Sequence, residues 1–503
     1  MYLFLDDYFI YICFKKTLKG LQQAQSQKPP MRPYRILFIK PPDSDVNVQA
    51  LDVPLGILYL SACLKKDLGE RVTVDMIDLR LGKKVEPALT EKIKSFSPDL
   101  IGISLLAFNR LFIKRHVSLL KQLAPAAAIV IGGPGATYGY DAFLKQYPEI
   151  DAAVLWEGEI AFSNLVGALM SGEDITSVKG IACRKNDQIL VSEKEDYIND
   201  LDSLPFPDYD LIQFDRYWGE SLHTHQMNGV LADRKYTHII GSRGCPFNCI
   251  YCHKIFGRAL RKRSPENFVN EIKWLYENYG VREFHIVDDN FNFDRDRMHT
   301  ILNRIIDNRL DIKMAFPNGL RADMLEPADL DLLKKAGAYM VTFAIEAASP
   351  RIQKIIHKNL DIKKVTENIN HAASIGLIVK GFFMLGFPGE TPEEIYETIN
   401  YAVKSKLDLA HFFTVTPFPG TVLRQLAVET YPDWKDQALY HYWPDKPFYQ
   451  QATGYNLNRV QKMAYLKFYV SPRIFKTFYK IPLKLTRLKK WTLFAGQILW
   501  KKN

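Results

Sequence analysis

The sequence predicts an α/β protein with two unlike parts: a doubly wound, Rossmann-like parallel sheet, then a partial (βα)6 barrel, followed by a helical basic tail. Three observations carry this. Short apolar runs alternate with amphipathic stretches from residue 35 to about 191. The rhythm fails between 199 and 235, where Pro205, Pro207 and several aspartates and tyrosines mark a linker. It resumes at Thr237 and continues to about Leu423. A chain of 503 residues is long enough for two or three cores.

The first part is read as strands at 35–39, 72–77, 100–103, 128–131 and 152–155, each a short apolar run of the kind buried on both faces of a parallel sheet. Ligands of such sheets bind beyond the carboxyl ends of the strands. There the sequence places Lys40-Pro41-Pro42, Ser104, Gly132-Gly133-Pro134-Gly135 and Glu157-Gly158-Glu159. A ligand site is expected at these ends, with close backbone approach at the glycines.

The second part is read as strands at 237–242, 283–287, 312–316, 340–345, 379–385 and 410–415, separated by helices such as 265–279, 362–375 and 392–404. Six such units make a partial barrel, whose active site is expected on the loops at the strand carboxyl ends. The boundaries are residues 1–32 for an extension, 33–198 for the first domain, 199–234 for the linker, 235–425 for the barrel and 426–503 for the tail. Because Met31 opens the segment that runs into the first strand, the extension is either an artefact of the translation start or loosely attached. Residues 1–14 are apolar but carry Asp6 and Asp7, lack a basic leader, and are too short to span a bilayer.

Composition narrows the function. Hydrophobic residues at 47% and charged residues at 24% describe an ordinary globular protein. The net charge of +10 belongs to the tail: residues 459–503 hold twelve Lys or Arg and no acid, leaving 54 basic against 56 acidic residues elsewhere. Nucleic-acid binding by the whole chain therefore loses its support. Within the tail, residues 481–500 interleave Leu, Trp and Phe with Lys and Arg. Such a segment either makes peripheral contact with an anionic membrane, which would suit a lipophilic substrate, or packs on its own barrel. Six cysteines, Cys13, Cys63, Cys183, Cys245, Cys249 and Cys252, are too few and too unevenly placed for a disulfide framework, which fits a cytoplasmic protein.

Gly244-Cys245-Pro246-Phe247-Asn248-Cys249-Ile250-Tyr251-Cys252 puts three thiols in one short loop after the first barrel strand. Soft thiolates so spaced can wrap a corner of an iron–sulfur cluster, and three ligands would leave a fourth iron open. The alternatives are buried cysteines or a zinc site, for which the fourth ligand would be sought at the neighbouring His253.

Cys-x3-Cys-x2-Cys, with the aromatic Tyr251 before the last cysteine, resembles the signature of the radical S-adenosylmethionine superfamily. The resemblance implies a 4Fe-4S cluster on Cys245, Cys249 and Cys252, with S-adenosylmethionine chelated to the open iron. One electron from an external reductant such as flavodoxin or ferredoxin would then yield a 5′-deoxyadenosyl radical that takes hydrogen from a small-molecule substrate. It further implies cofactor contacts at successive strand ends. These are Asp288, Asp289 and their neighbour Asn290 toward the methionine amine, and Asn318, Arg321 and Glu346 toward the ribose or methionine end. Gly381 and Gly386, in the run to Gly389-Glu390, resemble an adenine-binding motif in which the base lies on backbone. Asp is not the superfamily's commonest residue at the second strand. Taken singly, acids at strand ends cap helices and glycines mark turns; the assignment comes from their falling together on one barrel face.

Pro54-Leu55-Gly56-Ile57-Leu58-Tyr59, Gly132-Gly133-Pro134 and Glu157-Gly158-Glu159 resemble the cobalamin-binding domain that precedes the barrel in one subfamily. With Thr416-Pro417-Phe418-Pro419-Gly420-Thr421, the resemblance spans residues 35 to 430. Ser104, Gly132, Gly133, Glu157, Gly158 and Glu159 are its cobalamin candidates. No Asp-x-His-x-x-Gly occurs and the domain's one histidine, His116, falls on a helix, so cobalamin without a histidine ligand is implied. The function expected is a cobalamin-dependent methyltransferase acting on an unactivated carbon. The alternatives are an oxidative or ring-forming reaction, as in anaerobic magnesium-protoporphyrin cyclases, and a non-catalytic cobalamin or iron–sulfur protein.

Overall fold

The computed structural model describes residues 32–42, 49–82, 84–218, 224–226, 230–434 and 446–471, with 474, 477 and 480 singly. The amino-terminal extension with Cys13 and the interleaved segment 481–500 lie outside the described residues.

The first sheet holds β1 (Tyr34–Lys40), β2 (Val72–Asp78), β3 (Leu100–Ser104), β4 (Ala128–Gly132), β5 (Ala152–Val154), β6 (Ile181–Lys185) and β7 (Gln188–Val191). Its order is β2-β1-β3-β4-β5-β6-β7, and β2 through β5 are parallel. Alternate side chains bury on opposite faces, which makes the inner strands β3, β4 and β5 apolar nearly throughout. Leu37, Ile39, Ile101, Ile103 and Ile129 pack under the helices Val85–Phe96 and Arg110–Leu123, while Ile36, Phe38, Leu100 and Val130 pack under Leu55–Leu68 and Glu159–Ser171. The antiparallel pair β6-β7 extends the sheet beyond the five strands predicted. Its turn is Asn186-Asp187, at φ 49° and 62°, a hairpin signal that favours these residue types.

The second sheet is parallel throughout, in the sequential order β8 (Tyr236–Ile239), β9 (Glu283–Ile286), β10 (Lys313–Ala315), β11 (Ala338–Glu346), β12 (Ile378–Leu385) and β13 (Leu409–Thr414). Its helices begin at side-chain caps. Ser264, Asp294, Asp361 and Thr391 each accept a backbone N–H in the first turn, and Thr391 forms a reciprocal box with Glu394. Each such cap contributes about 1 kcal/mol.

Two departures from the sequence reading bear on the site. The strand predicted at 237–242 stops at Ile239, and Ser242–Arg243 instead pairs antiparallel with Arg261–Lys262. In the tail, the helix Leu457–Tyr469 lies along β13, where Gln461 donates to the Phe412 carbonyl at 2.7 Å and Tyr469 to that of Ala410 at 2.9 Å. An edge strand left bare would expose unpaired backbone groups, and this helix covers them.

Between the sheets, the linker is itself packed. Tyr209 donates to Glu271 of the barrel and Tyr217 to Asp78 of the first domain, both at 2.9 Å and both fully buried.

Candidate functional site

The loop after β8 is shaped by one buried carboxylate. Asp288, two residues past the end of β9, accepts from the Gly241 N–H and the Ser242 hydroxyl, each at 2.6 Å, and so turns the chain out of the sheet. Burial pushes the Asp288 carboxyl up despite these donors and the nearby Arg297. The Gly244 N–H donates to Asp289 at 3.2 Å. At Gly244, φ is +86° and a Cβ would stand 2.3 Å from the Ala259 carbonyl oxygen, so only glycine fits. Asp289 is pushed up to about 6, first by burial and then by Asp288.

The three predicted thiols follow. Cys249 is buried, Cys245 half-buried and Cys252 exposed. The loop is pinned on two sides, by Ile250 N–H to the Ile356 carbonyl at 3.1 Å and Leu423 N–H to the Ile250 carbonyl at 2.9 Å. Cys249 and Cys252 share a thiol hydrogen bond, which holds Cys249 down to about 6, and the Lys358 ammonium favours its thiolate. The same bond pushes Cys252 up, and burial raises Cys245. His253, the zinc alternative's fourth ligand, instead meets the Pro419 carbonyl at 3.2 Å and the Tyr138 ring at 4.8 Å. Among the described residues no three His, Cys, Asp or Glu side chains gather about a point that one ion would fill.

The strand-end residues converge unevenly. Glu346 ends β11 at φ 66°, where the register with β12 shifts, an unusual conformation for a side-chain-bearing residue. Its carboxylate accepts from Lys358 at 3.0 Å and from the Tyr251 hydroxyl at 3.3 Å, which ties it to the cysteine loop. Asn290 keeps a buried Oδ1 with no partner. Arg321 is committed to Asp323 and the Lys358 carbonyl, and its guanidinium lies 3.9 Å from the Phe247 ring. Asn318 donates to the Val287 carbonyl at 2.7 Å.

The two glycines expected to accept a flat base face their own chain. A Cβ at Gly381 would meet Leu407 and Phe383 within 2.8 Å, and one at Gly386 would meet Leu457 and Tyr449 at 2.7 Å. Both positions also answer a packing demand of the chain itself. Glu390 closes that loop, accepting from Gly386 and Phe387 N–H at 2.7 and 2.9 Å through one oxygen and leaving the other unpartnered.

At the first sheet's carboxyl edge, Gly132 ends β4 beside Ser104 of β3. A Cβ at Gly132 would meet only Val154, at 3.9 Å, whereas Gly133 and Gly135 are needed for the crossing with Leu105 and Leu106. Trp156 sits at φ 63°, a strained position for a large side chain. His116 bonds the Phe112 carbonyl at 3.1 Å and stacks on the Phe112 ring.

Glu157 and Glu159 point to the barrel. Arg261 pairs with both Glu157 oxygens at 2.8 Å, and Arg243 reaches Glu157 at 3.2 Å and Glu159 at 2.5 Å. They act as a clamp between domains, and Gly158 opens their helix against Leu60. Sequence reasoning missed Arg243, Arg261 and Lys358. Arg243 had a weak signal in its place just ahead of Gly244-Cys245, and Lys358 had none.

The donor set suits a thiolate-bound cluster with a chelating cosubstrate: three thiols on one loop, one held low, beside an orphaned Asn290 oxygen. Comparison with known proteins agrees. The radical SAM superfamily profile matches residues 239–402, and the B12-binding domain profile matches residues 46–166. The chain is 30% identical to cytidylyl-2-hydroxyethylphosphonate methyltransferase of Streptomyces wedmorensis, over 82% of this chain and 85% of that one. It is 28% identical to the anaerobic magnesium-protoporphyrin IX monomethyl ester cyclase of Rubrivivax gelatinosus, over 78% of this chain and 69% of that one. Among solved structures, the radical S-adenosylmethionine methyltransferase TsrM from Kitasatospora setae, with tryptophan and a cosubstrate analogue bound, has a TM-score of 0.63. The identity is 17%, over 78% of this chain and 76% of that one, and the likeness is one of fold.

Proposed function

Because this chain belongs to the cobalamin-dependent radical S-adenosylmethionine enzymes, we propose that it transfers a methyl group from S-adenosylmethionine to an unactivated carbon of a small molecule. The observation that carries this reading is a three-thiol loop at a barrel mouth held against the Gly132-Gly133 edge of a doubly wound sheet through Arg243, Arg261 and Glu157. When bound, the 4Fe-4S cluster, two equivalents of S-adenosylmethionine and cobalamin supply a hydrogen-abstracting radical and a transferable methyl group.

The chain's own residues supply the setting. Cys245, Cys249 and Cys252 would hold three irons, with Lys358 favouring the thiolates. Asn290 and Asp289 would receive the methionine end of the cosubstrate, and Glu346, steadied by Lys358 and Tyr251, would orient it. Asn318 and Arg321 would act by fixing the Val287 and Lys358 backbone. Ile250, Phe387, Val415 and Met384 form an apolar layer that would exclude water from the reacting carbon. Ser104 and Gly132 would lie against cobalamin. An external one-electron carrier such as flavodoxin or ferredoxin would supply the electron. No described helix is long and apolar enough to cross a membrane, and the basic tail suits peripheral contact with an anionic one.

Anaerobic reconstitution with trideuteromethyl S-adenosylmethionine and cell extract tests the reading. It expects 5′-deoxyadenosine, S-adenosylhomocysteine and a product carrying the labelled methyl. The resemblance to a cyclase favours one other reading, ring formation, which would give 5′-deoxyadenosine without S-adenosylhomocysteine. Failure to release 5′-deoxyadenosine under reduction would sink both.

A further inference from the structure

Barrel strands present alternate residues to the helices and to the lumen. On β12, Val379, Phe383 and Leu385 pack with the helix residues Ile395, Ile399 and Ala402, which leaves Lys380, Phe382 and Met384 on the lumenal face. The same alternation puts His285 of β9, Thr342 and Ala344 of β11, and His411 and Phe413 of β13 in the lumen. An apolar plug of Val230, Ala315, Met340, Ile378 and Leu409 closes one end. At the other end Met384 packs beside Ile250 and Tyr251 of the cysteine loop.

Between plug and loop the wall is open and aromatic. Phe382, His411 and Phe413 retain partial exposure, with ring centroids 5.5 to 6.0 Å apart, whereas the neighbouring Phe383 and Phe412 on the helix side are fully buried. The lower wall carries unmet polar groups. Lys380 is 3% exposed and stands opposite Thr342 in register. Its side chain has no hydrogen bond or ion pair among the described residues, and its ammonium lies over the Phe382 ring at 4.7 Å. Thr342 Oγ1 and His285 Nδ1 are buried without partners.

Nearby acids are already engaged. Glu283 accepts from His285, Tyr339 and the Asp233 N–H, and Glu346 is held by Lys358 and Tyr251. Burial pulls Lys380 down to about 8, which leaves it mostly protonated at neutral pH. A buried cation without a counter-charge is costly and is found where a ligand supplies the charge.

We propose that Lys380, with Thr342 beside it in register, recognises an anionic group of the substrate, a carboxylate or a phosphate-type group, while Phe382, His411 and Phe413 pack against its body. This deepens the methyl-transfer reading and rests on it for the place of the reacting carbon. Met384 lies four positions along the strand from Lys380, about 13 Å at a rise of ~3.3 Å per residue. The substrate is therefore an elongated acid or phosphoester, bound by its charged end well below the cysteine loop.

Calorimetry on the reconstituted holoenzyme with benzoate, phenylphosphonate and benzamide tests this. At least one anion should bind about tenfold more tightly than the neutral amide, and the tighter of the two identifies carboxylate or phosphate-type chemistry. Lys380→Met should lose that preference, Lys380→Arg should keep it, and the melting midpoint of Lys380→Met should stay level or rise because an unpaired buried charge is gone. The proposal is overturned if wild type shows no anion preference, if Lys380→Met keeps one, or if Lys380→Met melts lower. Release of 5′-deoxyadenosine by wild type under reduction is scored separately: its absence would count against the radical reading, while the anion preference would still decide the role of Lys380.

Discussion

Arg243 and Glu157 meet across the domain boundary at 3.2 Å, both less than a tenth exposed and 86 residues apart in the chain. Arg243 stands two positions before Cys245, so the contact fixes one flank of the cysteine loop directly to the first domain. Arg261, on the paired strand, fixes the other flank to the same carboxylate.

Removing that carboxylate strands the buried Arg261 guanidinium and leaves Arg243 with Glu159 as its one carboxylate partner among the described residues. Glu157→Ala is expected to cost about 3–5 kcal/mol, the scale for breaking one side of a buried ion pair. Glu157→Gln should cost less, because an acceptor oxygen remains. Urea unfolding of the apoprotein measures both, and a loss under about 1 kcal/mol would mean the pair behaves as a solvent-exposed one.

Gly244→Ala is expected to impair cluster assembly. The added methyl would collide with the Ala259 carbonyl in a loop already at positive φ. Gly389→Ala is the control: its φ is +72°, yet nothing lies within 4 Å of the new Cβ, so it carries conformational strain alone. Iron and sulfide content after anaerobic reconstitution should fall in the first variant and hold in the second. Equal iron in both would show that the loop accommodates the methyl.

Much of this was legible because it is local. Buried parallel strands read as apolar runs, caps precede the barrel helices, and three cysteines share one loop, so each signal sits within a few residues of its consequence. The clamp was not legible, since Glu157-Gly158-Glu159 at a strand end looks the same whether it meets a ligand or an arginine 86 or 104 positions away. Gly381 and Gly386 carry the same ambiguity: a glycine announces close approach without saying what approaches. The shortened first barrel strand escaped notice because residues 237–242 have strand character throughout, and it is Asp288, just past the end of the next strand, that bends the chain.

Glu346→Gln is expected to weaken both cosubstrate binding and the fold. The amide can still accept from Tyr251 but leaves Lys358 without its counter-charge, and it keeps the φ 66° geometry. If Glu346 orients S-adenosylmethionine, the KM for the cosubstrate in reductive 5′-deoxyadenosine release should rise about tenfold or more, a change of roughly 1.4 kcal/mol. The melting midpoint should fall as well, because the buried Lys358 loses its counter-charge, so the KM is the readout that decides the role. A fall in stability with an unchanged KM would leave Glu346 a structural partner of Lys358 only.

Glu390 sets a pH dependence whose sign is fixed by its burial. One oxygen accepts two backbone N–H groups, yet desolvation outweighs them and pushes the carboxyl up to about 8 from an ordinary 4.5. Between about pH 5 and 8 the unfolded chain has lost this proton while the native chain keeps it. Stability therefore falls as pH rises through that window, by an amount on the order of a few kcal/mol. Glu390→Gln retains the acceptor for Gly386 and Phe387 and cannot ionise, so this contribution should vanish. Denaturant unfolding of the two proteins should give similar stabilities near pH 5 and a more stable variant near pH 8. A difference between them that does not change with pH would mean that Glu390 does not hold its proton in the native fold.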